Sequence, residues 1–203
     1  MTKIISEIGI NHNGSVELAK KIINASSLAG CDFVKFQKRT PDICVPEEQK
    51  EKLRKTPWGE IKYIDYKKKI EFEEAEYNEI YKHCSELGIE CFASVWDIPS
   101  VEFMKKYTTI GKIPSALITD LELCKKARES FDTLIISTGM STEEEIEECV
   151  KICTPEVIMH TNSSYPSKYE ELNLNYITHL RNKFPDSQIG YSGHEYGLVS
   201  GLN

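Results

Sequence analysis

The sequence has no uninterrupted apolar run of about eighteen residues, the length a bilayer-spanning helix needs, so no transmembrane segment is expected. It also lacks a basic stretch leading into an apolar one near its start. "MTKIISEIGI" passes at once into a strand-like pattern, and no signal peptide is expected. There is no excess of positive charge: 25 Lys and Arg stand against 32 Asp and Glu, a net charge of −7, which argues against a general nucleic-acid binder. No Cys-x-x-Cys pair occurs among the seven cysteines, and the number is odd, so the expectation is free thiols in a reducing cytoplasm. Cys149 and Cys153 are four residues apart, but no His or third Cys is spaced to complete a tetrahedral soft-metal site with them.

What is present is a βα alternation. Over 203 residues, with 40% hydrophobic and 9% aromatic, there is enough apolar side chain for one large domain. Short β-branched or apolar runs predict strands at Ile4–Ile10, Phe33–Gln37, Glu90–Val95, Thr109–Ile113, Thr133–Ser137, Glu156–His160 and Gln188–Tyr191. Amphipathic spacing predicts helices at Val16–Ala29, Glu73–Leu87, Ser100–Tyr107, Asp120–Glu129, Thr142–Ile152 and Leu172–Phe184. Ser141-Thr142-Glu143-Glu144-Glu145 sets a capping hydroxyl and three carboxylates at a helix start, and Gly30 and Gly88 suit left-handed helix ends. Alternation of this kind implies a parallel sheet. A closed (β/α)8 barrel needs an eighth strand, so seven strands fit either an open sheet or a barrel whose last strand is missing. One stretch, Glu47 to Phe72, is too long for an ordinary βα loop; because it follows the second strand, it is expected at the carboxyl ends of the strands.

The strand ends carry the chemistry. Glu7 lies inside the first strand, with Asn11 and His12 beyond it. Lys35 and Gln37 alternate with Phe36 in the second. Ser94 and Asp97 end the third, Lys112 and Ser115 the fourth, Ser137 and Thr138 the fifth. His160, Asn162, Ser163 and Tyr165 follow the sixth, and Ser192 and His194 the seventh. In a parallel barrel these ends form one catalytic face. Lysines with directed hydroxyls suit a phosphate or carboxylate. Glu7 and the imidazoles are candidates for proton transfer, and His194 for a divalent metal. Bland readings stand beside these. Glu7 can simply neutralise a lysine, His12 can bond backbone, His160 reads better as a satisfied core histidine, and any one serine can cap a helix. His83 and His179 read as surface residues, and Lys67-Lys68-Lys69 as a solvated face.

The segments "EIGINHNG", "VKFQKRTP", "TPWG…YKKKIEF", "KIPSALITD", "IISTGMST", "MHTNSSYP" and "GYSGHEYG", in this order, resemble the sialic acid synthase family, which includes N-acetylneuraminate, legionaminate and pseudaminate synthases. The resemblance runs from residue 4 to the chain end. It implies a (β/α)8 TIM-type barrel of which about seven of the eight strands are present. It also implies that residues 1–203 are a single barrel domain incomplete at its C-terminus, without the antifreeze-like domain that follows in the family. By resemblance, Lys35, Lys112, Ser115, Ser137, Ser163 and Ser192 match phosphoenolpyruvate-binding positions. Ser94 sits near another, in a chain reading "ASVWD" where many members read "STPFD". Glu7 matches the acidic residue near the condensing carbons, Gln37 and Tyr165 match positions facing the sugar, and Asn162 lies in the same substrate-binding segment. His194 matches one of two metal-ligating histidines; the second lies downstream of this chain.

The activity so implied joins phosphoenolpyruvate to N-acetylmannosamine, giving a sialic acid and phosphate. It is assisted by a divalent metal, manganese by family habit and otherwise magnesium or cobalt, in a cytoplasmic homodimer with no nucleic-acid or membrane partner. Legionaminate or pseudaminate synthesis is the near alternative. A Schiff-base aldolase using Lys35 or Lys112, and an inactive remnant, are the alternatives of another class. The missing strand and histidine lead to the expectation of a partial chain that is poorly soluble and inactive by itself.

Overall fold

The computed structural model describes residues 2–197, in two units that divide between Thr108 and Thr109. In the first, β1 (Ile5–Gly9) leads through α1 (Val16–Leu28) to β2 (Phe33–Lys38). A long excursion follows, made of α2 (Pro41–Cys44), α3 (Glu47–Lys50), the antiparallel hairpin of β3 (Leu53–Thr56) and β4 (Gly59–Lys62), and α4 (Tyr63–Ile70). α5 (Glu74–Leu87), β5 (Glu90–Val95) and α6 (Ile98–Met104) complete the unit, with β1, β2 and β5 side by side and parallel. The second unit runs β6 (Ile110–Ile113), α7 (Leu121–Ser130), β7 (Thr133–Ser137), α8 (Glu143–Cys153), β8 (Val157–Thr161), α9 (Asn175–Lys183) and β9 (Gln188–Ser192), its four strands parallel in chain order. These are the seven strands expected, each within one residue of its predicted bounds.

Local chemistry explains the boundaries. The Ser15 hydroxyl accepts from the Leu18 N–H at 3.2 Å and starts α1, which turns Ala19, Ile23 and Ser26 inward on one helical stripe. α5 opens with a reciprocal capping box between Glu73 and Glu76 and closes at Gly88, whose φ of 67° favours glycine. α8 opens likewise, with Thr142 and Glu145 bonded to each other's main chain and three glutamates in the first turn. Its inward stripe is Ile146, Cys149 and Cys153; Cys124 of α7 comes within 3.7 Å of Cys149, a neighbour that sequence spacing does not reveal. All seven cysteines are free thiols. Among the described residues no helix is long and apolar enough to cross a membrane.

The excursion after β2 starts from its carboxyl end. The Lys38 ammonium donates to the Phe72 carbonyl at 2.6 Å, and the Asp97 carboxylate, which caps α6, accepts from the Thr40 N–H at 2.5 Å. The basic run does not form one solvated face. Lys68 pairs with Asp42 and Lys69 lies over Trp58, but Lys67 is buried with Ile64 and Ile70, each three residues away along α4. His160 is a satisfied core residue: its Nε2 lies 2.7 Å from the Leu172 carbonyl, and Tyr176 and Tyr191 flank it. His83 and His179 make exposed surface contacts with Asn24 and Glu143.

Candidate active site

In the first unit, strand register assembles one cluster. Glu7 lies opposite Lys35, and Gln37 opposite Ser94; with a side-chain period of two, all four share a face. An irregularity between Glu7 and Gly9 shifts the pairing of β1 beside them. Lys35 is 3% exposed, and its ammonium donates to the Glu7 carboxylate at 2.5 Å and to the Ser94 hydroxyl at 3.1 Å. Glu7 is about half exposed, so the pair presents a carboxylate outward from a buried ammonium. An ammonium donating to a carboxylate makes a charge-assisted bond, stronger than one between neutral groups.

Beyond this cluster stand Arg39 and Glu71, which the sequence did not single out. Arg39 is buried, forms an ion pair with Glu71 at 3.0 Å, stacks over the Trp96 ring at 4.4 Å and donates to the Gln37 side-chain carbonyl. Burial pushes the Glu71 carboxyl up to about 7 against the pull of Arg39 and Lys38, and burial pulls the Lys67 ammonium down to about 8, with Arg39 adding to the effect. His12 lies stacked on Phe72 at 4.1 Å and accepts from the Gly14 N–H through Nδ1 at 3.1 Å. Burial lowers its pKa to about 4, so it is neutral at pH 7 and bonds main chain.

The second unit holds a hydroxyl cradle. Register puts Lys112 beside Ile135, Ser137 beside Met159 and Thr161 beside Ser192, so Lys112, Ser137 and Ser192 point to one face of their strands. Ser115 opens the short 3-10 turn after β6, and its hydroxyl accepts from the Gly139 N–H at 3.1 Å. Gly139 has no room for a side chain: a Cβ there would overlap the Ser163 hydroxyl and stand 3.0 Å from that of Ser115. The Ser137 hydroxyl is buried and has no hydrogen-bond partner among the described residues. A buried hydroxyl without a partner costs free energy unless something outside the protein satisfies it. Two serine hydroxyls meeting at a side-chain-free backbone, with a third buried hydroxyl two residues earlier in the chain, are suited to an oxyanion.

This geometry sets an expected result. Gly139→Ala should weaken binding of inorganic phosphate about tenfold by calorimetry, because a methyl there displaces the Ser163 hydroxyl, and a lost hydrogen bond to a charged group costs about 1.5–3 kcal/mol. Unchanged affinity would show that the oxyanion sits elsewhere.

The loop after β8 holds the remaining candidates. The Asn162 side chain is committed to the loop itself, donating to the Glu171 carbonyl at 2.8 Å and accepting from the Ser164 N–H and the Ser167 hydroxyl. Its main-chain carbonyl lies 2.6 Å from Nδ1 of His194, while Nε2 lies 2.9 Å from the Tyr165 hydroxyl. A carbonyl can only accept, so Nδ1 carries a proton; in the neutral ring Nε2 then has the lone pair, to which the Tyr165 hydroxyl donates. This is the tautomer and second-partner arrangement of a metal-binding histidine. Among the described residues no group of three or more His, Cys, Asp or Glu could hold a metal ion, so the fit rests on this one oriented imidazole.

Comparison with known proteins identifies relatives. The model of the NeuB family matches residues 22–202. The chain is 37% identical, over 97% of its length, to an N-acetylneuraminate-9-phosphate synthase of Drosophila melanogaster, and covers 55% of that protein. It is 31% identical to an N,N'-diacetyllegionaminic acid synthase of Campylobacter jejuni, again over 97% of its own length and 62% of the relative's. The chain thus spans a little over half the length of these curated relatives. Among solved structures it superposes on an N-acetylneuraminic acid (sialic acid) synthetase from Leptospira borgpetersenii, in complex with citrate. The TM-score is 0.88 at 29% identity, over 98% of this chain and 67% of that one.

Proposed function

The chain belongs to the NeuB family, and from that premise we propose that it is the barrel portion of a phosphoenolpyruvate-dependent nonulosonate synthase. The reaction proposed condenses phosphoenolpyruvate with N-acetylmannosamine to give a sialic acid and phosphate. The observation that carries it is the cradle around Gly139, with the Ser137 hydroxyl buried and unsatisfied. Citrate in the Leptospira relative supports a site for a small polyanion.

Each residue then has a task. Lys112 balances the charge of phosphoenolpyruvate, and the hydroxyls of Ser115, Ser137, Ser163 and Ser192 donate to its oxygens. Lys35, itself bonded to Ser94, holds Glu7 in place. Glu7 is the proton carrier as water adds at C2 and the tetrahedral intermediate expels phosphate. Gln37 and Tyr165 face the sugar, and Asn162 holds the loop that carries Tyr165. His194 Nε2 is the ligand we assign to a divalent metal, manganese with magnesium or cobalt as substitutes, which when bound supplies Lewis-acid polarisation of the aldehyde oxygen. A homodimer in the cytoplasm completes the proposal, the seven free thiols supporting the reducing compartment.

The test is phosphate release by the full-length protein, stripped of metal and resupplied, against a panel of 2-acetamido and 2,4-diacetamido sugars. N-acetylmannosamine with manganese is expected to give the highest rate. A clear preference for a 6-deoxy diacetamido sugar would move the assignment to legionaminate- or pseudaminate-type synthesis, a second reading supported by the Campylobacter relative. Borohydride with a keto acid is expected to trap nothing. A stable adduct on Lys35 or Lys112 would replace condensation by Schiff-base chemistry.

A further inference from the structure

In the Ser-Val-Trp-Asp run at the end of β5, Trp96 is a residue to which the proposed function gives no task. Trp96 supplies the face on which the Arg39 guanidinium lies, 4.4 Å from the ring centroid. Glu71 closes one edge: its Oε1 is 3.0 Å from Arg39 Nε but off the N–H axis, so that N–H forms an ion pair without a hydrogen bond. Glu71 Oε2 accepts from the Arg39 main-chain N–H at 3.3 Å. Both side chains are buried, Arg39 at 8% and Glu71 at 4% exposure. The guanidinium is therefore fixed by a ring face and a carboxylate, and its Nη2 donates to the Gln37 Oε1.

That last bond decides how Gln37 faces. A guanidinium has donors and no acceptor, so the amide must turn its oxygen to Arg39 and its NH2 away. The NH2 is directed to the side where Glu7 stands: a Cβ on Gly9 would be 3.7 Å from Gln37 Nε2 and 3.9 Å from Glu7 Oε1. Without Arg39 the amide oxygen loses the donor that holds it, and a flipped amide would present oxygen to an oxygen of the sugar.

We infer that Arg39, held by Trp96 and Glu71, is a positioning residue that makes Gln37 an obligate hydrogen-bond donor, selecting a hydroxyl or carbonyl oxygen of the sugar. The inference rests on the reading that Gln37 faces the sugar. It gives Trp96 a task in specificity two residues beyond Ser94, and it draws on the excursion after β2 through Glu71.

The experiment is steady-state kinetics on the full-length protein with both substrates varied. Arg39→Met alone would leave Glu71 buried and unpaired, so Arg39→Met/Glu71→Gln is used as the second variant to keep the fold. Gln37→Ala and Arg39→Met/Glu71→Gln are each expected to raise the sugar KM about tenfold and to leave the phosphoenolpyruvate KM within about twofold. Combining the two should raise the sugar KM no further, because residues acting through one another are not additive. A merely structural Arg39 would move both KM values, and its effect would multiply with that of Gln37→Ala; that result overturns the inference. So does a raised sugar KM for Gln37→Ala with none for the Arg39 variants, which leaves Gln37 at the sugar. An unchanged sugar KM for Gln37→Ala removes Gln37 from the sugar, and the inference falls with it.

Discussion

Lys112→Ala is expected to weaken phosphoenolpyruvate binding by about 2 kcal/mol or more, roughly thirtyfold, measured by calorimetry on the full-length protein without sugar. Lys112 is 7% exposed on β6, and register turns it to the same face as Ser137. A desolvated ammonium bonded to an oxyanion is worth more than a surface pair, since little water remains to replace it. Lys112→Arg should recover only part of the loss: the charge stays, but a planar fork does not occupy the place of a compact ammonium. The matching loss for Ser137→Ala should be smaller, because removing a hydroxyl that lacks a protein partner also removes its desolvation cost in the free enzyme. If Lys112→Ala binds phosphoenolpyruvate as tightly as the parent, the anion lies elsewhere and the proposed role of the cradle is wrong.

The parallel strands were legible because burial imposes a pattern on them. β2 alternates Val34 and Phe36 with Lys35 and Gln37, and a charged residue within such an apolar run has to be accounted for by a partner or a ligand. The helix starts were legible because capping is local, as in Thr142 with Glu145. β3 and β4 were not. They are four residues each, exposed, and rich in charge, so neither has the alternation by which a half-buried strand is recognised. Lys67 left a signal that the basic run concealed: it lies three residues from both Ile64 and Ile70, on the apolar stripe of α4. Arg39 with Glu71 left none, since the two are 32 positions apart and meet only because the excursion returns to the end of β2. Ser115, Ser137 and Ser163 could be named as polar strand ends. The convergence of Ser115 and Ser163 on Gly139 is a tertiary fact, and a glycine in "STGMS" reads from sequence as a turn and not as the floor of a cradle.

The two titrations around the first cluster lead to a second large expected effect, on stability and not on activity. His12 has a folded pKa of about 4 against 6.5 in a model peptide, so the unfolded chain binds the proton first. Stability from this group is complete above pH 6.5 and is lost as pH falls toward 4. Glu71 works in the opposite direction. Its folded pKa is about 7 against 4.5, so the folded state holds the proton longer, and stability is lost as pH rises from 4.5 through 7. Each shift corresponds to a change on the order of 3 kcal/mol across its window. Between pH 4.5 and 6.5 the two slopes cancel, and the parent should show a nearly flat urea midpoint there. Glu71→Gln should expose the His12 slope, with stability rising steeply from pH 4.5 to 6.5. His12→Gln, which keeps an acceptor for the Gly14 N–H, should expose the Glu71 slope, with stability falling over the same range. Urea midpoints at half-unit steps of pH would separate the two. If both variants stay as flat as the parent, neither group titrates in the fold as its burial dictates. Glu71 would then be ionised throughout beside Arg39, and the arginine clamp on Gln37 would hold its charge pair at every pH at which the enzyme works.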